Sequence, residues 1–345
     1  AALSSHMMTV ASSTMRKLQT IYQHFLPSLH MAFHPTLSKS GRVIFWPLIK
    51  FCEFLGNHYP ELLLKLRYRY VFKEALDLKN PQSLNEKILW AKLYSDTTRW
   101  TELADKRTVR DYVEKIGLGD TLVKLYATWY KKEDVNFDAL PETFIIKANN
   151  GDGKGTNKII RKSELTPEKK AEYIDLIGEW LCRKNIGALH AEPHYKHMTP
   201  CVIAEEVLPL GGATSLTDYK MWCFNGKCYY TWICNDRSAG GNSAHVMTYD
   251  MDWNAHPEFS VFNSDYLKGD IIPKPKNFDK MVEIAEKLSK GFPELRVDLY
   301  NIDGKIYFGE LTFTSQGGFM DFYTPEFNKM LGEKFSIKDF PLKKK

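Results

Sequence analysis

An arginine and two carboxylates near the end of the chain offer the clearest chemistry. Residues 292–313 read FPELRVDLYNIDGKIYFGELTF, two runs rich in aromatic and β-branched residues around Asp303-Gly304-Lys305. This is the pattern of a β-hairpin. Register decides what such a hairpin can do. A three-residue loop over 303–305 pairs Ile302 with Ile306 and sets Asp298 opposite Glu310, with Arg296 and Thr312 on the same face. A two-residue turn sends the two acids to opposite faces, because side chains alternate along a strand. Carboxylates that converge beside an arginine suit Mg²⁺ held against a nucleotide phosphate. The competing reading is an ordinary hairpin with solvated charges.

A second segment, 144–158, reads FIIKANNGDGKGTNK. Lys147 lies on a strand just before Gly151, Gly153 and Gly155, and glycines let a loop fold over phosphates and turn backbone N–H groups toward them. The spacing is neither G-x-x-x-x-G-K-[ST] nor G-x-G-x-x-G. The loop joins two strands instead of entering a helix, so no helix N-terminus helps to bind a phosphate. A plain hairpin tip is the alternative. Three smaller pieces accompany these. Residues 203–208 read IAEEVL, with Glu205 and Glu206 at a strand end ahead of Leu208. Asp218-Tyr219-Lys220 follows a glycine-containing loop, and Asp105-Lys106-Arg107 lies at a helix upstream. Asp236-Arg237, after a strand, offers an acceptor carboxylate or a phosphate a partner. Solvated ion pairs explain each piece equally well on its own.

These residues need elements to position them. Ser83 and Glu86 have the spacing of a capping box. Residues 101–116 read as one amphipathic helix stopping at Gly117. A strand over 143–148 pairs with one over 158–161 across the glycine loop. Thr166 caps a helix over 166–184, with Pro167 at its first position. Strands follow at 202–207, 219–224 and 228–234. A helix over 277–290 gathers Met281, Ile284, Ala285 and Leu288 on one face. The order is that of an α+β protein with mainly antiparallel sheets.

The 345 residues suffice for two domains or one composite one. A net charge of +5 fits an anionic ligand without requiring nucleic acid. Cysteines at 52, 182, 201, 223, 228 and 234 form no C-x-x-C pair, which argues against a zinc knuckle or a disulfide framework and for reduced thiols in a cytosol. His190, His194 and His197 cluster closely enough to suggest a metal site as one reading. No stretch reaches the roughly 20 apolar residues of a membrane span. Residues 60–73, PELLLKLRYRYVFK, are basic and amphipathic. Such a helix lies on an anionic membrane or packs on its own domain with its cationic stems reaching water. Residues 1–7 read as an expression remnant ahead of Met8.

The order of the pieces carries more weight than any one of them. Asp-Lys, a strand lysine with a glycine loop, strand-end glutamates, an acid, then R-x-D with E-x-T resembles the ATP-grasp superfamily. More narrowly, NEKILWAKL, DYKMWCFNGK and RVDLYNIDGKIYFGELTF resemble the TupA-like ATP-grasp family over residues 78–330. That family occurs among bacterial capsule and teichuronopeptide biosynthesis proteins. The resemblance implies an ATP-grasp fold, two α+β subdomains clasping ATP after a mostly helical N-terminal region. The expected divisions are 8–77 helical, 78–142 the first part of the ATP-grasp region, 143–208 with the lid, 209–330 with the metal hairpin, and 331–345 a basic tail.

Carried over residue by residue, the resemblance places Lys106 and Lys147 on the ATP phosphates, Lys147 also near the purine. Gly151, Gly153 and Gly155 form the lid. Glu205 and Glu206 lie at the adenine hinge, where the backbone of Glu206 and Leu208 reads the purine edge. Asp218 holds the ribose, with Lys220 beside it on the nucleotide. Asp298 and Glu310 ligate Mg²⁺. Thr312 stands where the wider superfamily has an asparagine as third ligand. Arg296 neutralises the transferring phosphoryl group or a tetrahedral intermediate. The implied activity is an ATP- and Mg²⁺-dependent carboxylate–amine ligase working through an acylphosphate. Its implied substrates are a hexuronic acid of a capsular or cell-surface glycan and an amino acid or small amine. The expected location is the cytoplasm or the inner face of the membrane. Trp222, Tyr229, Tyr230 and Trp232 offer sugar-binding surfaces or sheet core. Alternatives are a kinase of a sugar or other small molecule, and a nucleotide-binding scaffold in polysaccharide assembly.

Overall fold

A computed structural model describes residues 39–151, 155–183, 186–210, 215–236 and 243–343. It divides into two compact units, residues 1–77 with 188–191, and residues 78–187 with 192–345. In the first unit, α1 (Lys39–His58) is followed by α2 (Pro60–Phe72), with Pro60 at the first position of the new helix. Leu55, Leu63 and Leu64 are fully buried. Gly56 lets α1 lie directly on the 188–191 turn, since a Cβ there would meet the Ala188 carbonyl oxygen at 1.8 Å. Arg67 of α2 hydrogen-bonds His190, so part of the basic stripe is used inside the unit. Among the described residues no helix is long and apolar enough to cross a membrane.

The second unit opens with α3 (Leu84–Tyr94), whose capping box between Ser83 and Glu86 forms as the spacing predicts. The helix expected over 101–116 is instead two, α4 (Thr98–Ala104) and α5 (Val109–Lys115). Asp105 breaks it. Its Oδ1 accepts from the Arg107 and Thr108 N–H groups at 2.7 and 3.3 Å, offering the backbone an alternative to the helical ladder.

The first sheet holds β1 (Leu125–Trp129), β2 (Thr143–Ala148), β3 (Asn157–Arg161) and β4 (Val202–Glu205), in the order β1-β4-β2-β3. All its pairs are antiparallel. Helix α6 (Pro167–Leu181), capped by Thr166, supplies Ile177 and Trp180 to a core with Phe144, Ile146, Ala148, Val202 and Ala204. Alternation then turns Ile145, Lys147, Ile203 and Glu205 to the other face. The short helix α7 (Pro193–Lys196) precedes β4.

The second sheet holds β5 (Asp218–Phe224), β6 (Lys227–Asn235), β7 (Ala244–Asp250), β8 (Tyr266–Lys268), β9 (Glu294–Ile302) and β10 (Lys305–Thr312). Their order is β10-β9-β5-β6-β7-β8, antiparallel except for the β7–β8 pair. Helix α8 (Phe278–Ser289) buries Met281, Ile284, Ala285 and Leu288 in the core shared with Met221, Leu295, Val297 and Leu299, the face the sequence predicts. On the opposite face, Trp232 stacks on Phe322 at 4.4 Å and Trp222 donates to the Tyr323 hydroxyl at 2.8 Å. Those two tryptophans are core, not a sugar platform. Helix α9 (Pro325–Gly332) follows. The stretch expected to be a basic tail is packed instead. Phe335 and Phe340 are buried, and Lys343 Nζ donates to the Leu93 carbonyl at 2.7 Å.

Candidate nucleotide and metal site

The hairpin reaches the expected pairing by a different route. Its turn has two residues, Asp303 (φ 51°) and Gly304 (φ 87°), with Lys305 opposite Ile302. Positive φ at both central residues is the geometry that matches the twist of the flanking strands. This register alone would separate the acids. A β-bulge between Phe308 and Glu310 shifts it by one residue, so that Glu310 faces Asp298 and Thr312 faces Arg296. Gly309 makes the bulge possible. A Cβ there would lie 2.9 Å from the Asp298 carbonyl oxygen and 3.2 Å from the Tyr300 ring. The three-residue loop is therefore corrected to a two-residue turn plus a bulge.

The residues brought together form a dense network. Arg296 Nε and Nη2 donate to the two oxygens of Asp298 at 2.7 and 2.8 Å. Arg296 Nη2 also reaches Glu310 at 3.2 Å and Thr312 Oγ1 at 3.0 Å, and Nη1 donates to Ser315 at 2.8 Å. Lys220 donates to Asp298 Oδ2 from the neighbouring strand and lies 3.7 Å from Asp218. Tyr300 is hydrogen-bonded to Asp218. Arg296, Asp298, Lys220 and Asp218 are buried, whereas the Glu310 side chain is 43 % exposed. Burial opposes charge on Asp298, but Arg296 and Lys220 outweigh it and hold the carboxyl below its ordinary value. Burial likewise opposes charge on Lys220, and Asp298 and Asp218 outweigh it, raising its pKa. Two residues further back, burial pushes the Glu294 carboxyl well above its ordinary value, against the pull of Arg296.

The four-stranded sheet presents its charges differently. Lys147 Nζ pairs with Glu205 at 2.8 Å, and Arg110 pairs with the other oxygen at 2.7 Å. The buried Glu205 carboxylate thus positions Lys147 from below. The Glu206 N–H donates to Lys124 at 3.0 Å, so the part of Glu206 able to read a purine edge is its carbonyl. Leu208 is buried just beyond. Lys106, at the helix break, donates through Nζ to the Gly151 carbonyl at 2.7 Å. Gly151 packs on Thr156, where a Cβ would meet Oγ1 at 2.3 Å, and Gly155 has φ 82°. Gly153 and Arg237 lie outside the described residues.

Sequence reasoning missed the supports. Arg110 gives no motif signal, being one cation on an ordinary helix face. Asn149 joins the glycine loop to the helix break, donating to Asp105 at 2.5 Å and accepting from the Cys201 N–H at 2.9 Å. His194 is buried, and burial and then Lys92 push its pKa down to about 3. Among the described residues no three His, Cys, Asp or Glu side chains gather to hold a metal. Asp298, Glu310 and Thr312 offer only hard oxygen ligands, which fits Mg²⁺ completed by phosphate and water oxygens.

A family model for TupA-like ATPgrasp proteins matches residues 86–336. The chain belongs to that family. Its α+β architecture is the ATP-grasp fold with helices at the N-terminus. Several solved structures are similar at low identity. D-alanine–D-alanine ligase from Bacillus anthracis complexed with ATP is 15% identical with a TM-score of 0.40, over 64% of this chain and 58% of that one. The ADP complex of purK, N5-carboxyaminoimidazole ribonucleotide synthetase, is 14% identical with a TM-score of 0.39, over 72% and 56%. The chain spans less than two thirds of the length of either. No curated protein matches it.

Proposed function

We propose that this TupA-like protein is an ATP-dependent carboxylate–amine ligase. The observation that carries the reading is the convergence of Asp298 and Glu310 beside Arg296, achieved by a bulge that an ordinary hairpin does not need. In this reading a substrate carboxylate attacks the γ-phosphorus of ATP, ADP leaves, and an acylphosphate forms. An amine nitrogen then attacks the acyl carbon and phosphate leaves, giving an amide. Mg²⁺ on Asp298 and Glu310, with Thr312 at the third position, would supply charge neutralisation to the phosphates. Lys147, steered by Glu205, and Lys106, one step from the glycine loop, take the phosphate chain. Lys220, paired with Asp298, also contacts the nucleotide in this reading. Asp218, held by Tyr300, takes the ribose hydroxyls, and Glu206 with Leu208 takes the purine edge. Arg296 keeps its charge throughout and would neutralise the reacting phosphoryl group, positioned charge doing most of the catalysis.

The substrate we propose is a hexuronic acid of a cell-surface or capsular glycan, joined to an amino acid or small amine. A surface contact of the first unit with an anionic membrane is proposed from the exposed Trp46, Phe54 and Tyr59 around Lys50. The test is product analysis by mass spectrometry with Mg-ATP, saccharide acids and amines. A ligase releases ADP and phosphate only when acid and amine are both present, and an amide appears. Phosphate retained on the product would identify a kinase, and absence of any product a scaffold.

A further inference from the structure

A cleft of about 550 Å³ opens beside the Lys106 turn. Thr101, Glu102, Arg107, Thr108, Tyr130 and His197 are among the residues that line it. Neither Lys147, Lys220, Asp298 nor Glu310 lines it, so it is separate from the network described above. It nevertheless neighbours the base of the glycine loop. Asp105 and Arg107 line the cleft while Lys106, between them, reaches back to Gly151. Asn149, at the base of that loop, bonds both Asp105 and the Thr199 carbonyl, which belong to the lining.

The lining specifies a ligand chemistry. Thr101 Oγ1 donates its proton to the His194 carbonyl at 3.1 Å, and Thr108 Oγ1 donates to the Glu102 carbonyl at 2.5 Å. Both hydroxyls thereby keep lone pairs able to accept. The Glu102 carboxylate adds acceptors, and Arg107, bonded to Asp111 through one N–H at 2.9 Å, brings further guanidinium donors. Carboxylate and hydroxyl acceptors beside guanidinium donors suit a ligand that both donates and accepts, as hydroxyl groups do. Tyr130 is 55% exposed, a flat ring on which the C–H face of a sugar can rest. An ammonium group would satisfy the acceptors but would repel Arg107 and leave most of the volume unfilled. The volume lies within the range of sites for ligands larger than one amino acid.

We infer that this cleft binds hydroxyl-rich sugar rings of the saccharide substrate, away from the reacting carboxylate. The inference rests on the proposed ligase reading for the identity of that substrate, though binding can be measured without turnover. Saturation-transfer NMR on the full chain without nucleotide would use a glucose–glucuronate disaccharide, its neutral glucose–glucose counterpart and L-glutamate as probes. Both disaccharides are expected to pick up saturation on their ring protons, and L-glutamate is not. Tyr130→Ala, at an exposed position, is expected to weaken disaccharide binding by roughly tenfold with an unchanged circular dichroism spectrum. Glu102→Gln should weaken it less. Glu310→Ala, outside the cleft, should bind the disaccharides like the parent chain. Undiminished binding to Tyr130→Ala, binding of L-glutamate alone, or no signal from either disaccharide would overturn the inference. Saccharide binding with no ADP formed from any acid and amine would instead defeat the ligase reading and leave the cleft standing.

Discussion

The four-stranded and six-stranded sheets both turn charges to the face opposite α6 and α8, but they hold them differently. In the six-stranded sheet Arg296, Asp298 and Lys220 are locked together out of water, while the Glu310 side chain reaches solvent. In the four-stranded sheet Lys147 keeps 29% of its side chain exposed and is steered by one buried carboxylate, while the neighbouring loop is built on glycine. The difference teaches where each kind of work can be done. A buried, mutually satisfied network fixes geometry to within a hydrogen bond, which charge neutralisation of a reacting group requires. Charges that are half in water can follow a ligand.

The contrast can be broken most severely at Asp298. Removing it in Asp298→Ala strands Arg296 and Lys220, and the expected loss is about 3–5 kcal/mol of stability in urea unfolding. Glu310→Ala should unfold almost like the parent, because the side chain is nearly half exposed. Its ADP release with both substrates should fall by about 10²–10³-fold, the usual effect of losing one charge-stabilising contact. Gly309→Val should cost about 1–3 kcal/mol, since the added carbons meet the Asp298 backbone, and it should lower turnover along with stability. Comparison with Glu310→Ala separates lost register from a lost ligand.

A smaller effect is expected from pH. His194 has its pKa depressed to about 3 by burial, against an ordinary 6.5. The unfolded chain binds that proton first, so stability present above 6.5 is lost as pH falls toward 3. The slope is about 1.4 kcal/mol per pH unit. Thermal melts of His194→Phe across that window should show a flatter pH dependence than the parent. The depressed Asp298 pKa acts at lower pH in the same sense. Its stabilisation is present above the ordinary carboxylate value and is lost as pH falls through the folded one. Last, Lys147→Ala should change stability by less than about 1 kcal/mol, measured by urea midpoint. A loss as large as that of Asp298→Ala would erase the distinction between the sheets.

Much of this was legible in the residues. Thr166-Pro167 and Ser83 with Glu86 announce their helices because capping is local chemistry. The R-x-D and E-x-T residues share a face, as expected, but for a reason the sequence hides. Asp303-Gly304 makes a tight turn by itself, and a single glycine at 309 repairs the register. A glycine in a strand signals a bulge only once its partner strand is known. The broken helix at Asp105 was equally hidden, because residues 101–116 keep an amphipathic pattern and the acid's backbone bonds are a tertiary choice shared with Asn149. Arg110 and Lys220 pair with Glu205 and Asp298 across 95 and 78 residues of chain, distances over which no local pattern reports.

Titration of ATP into the protein by calorimetry, with and without Mg²⁺, would test the central claim most directly. The account predicts that the parent chain binds ATP more tightly with Mg²⁺, and that Glu310→Ala binds ATP equally with and without it. The same Mg²⁺ dependence in Glu310→Ala as in the parent would contradict the account.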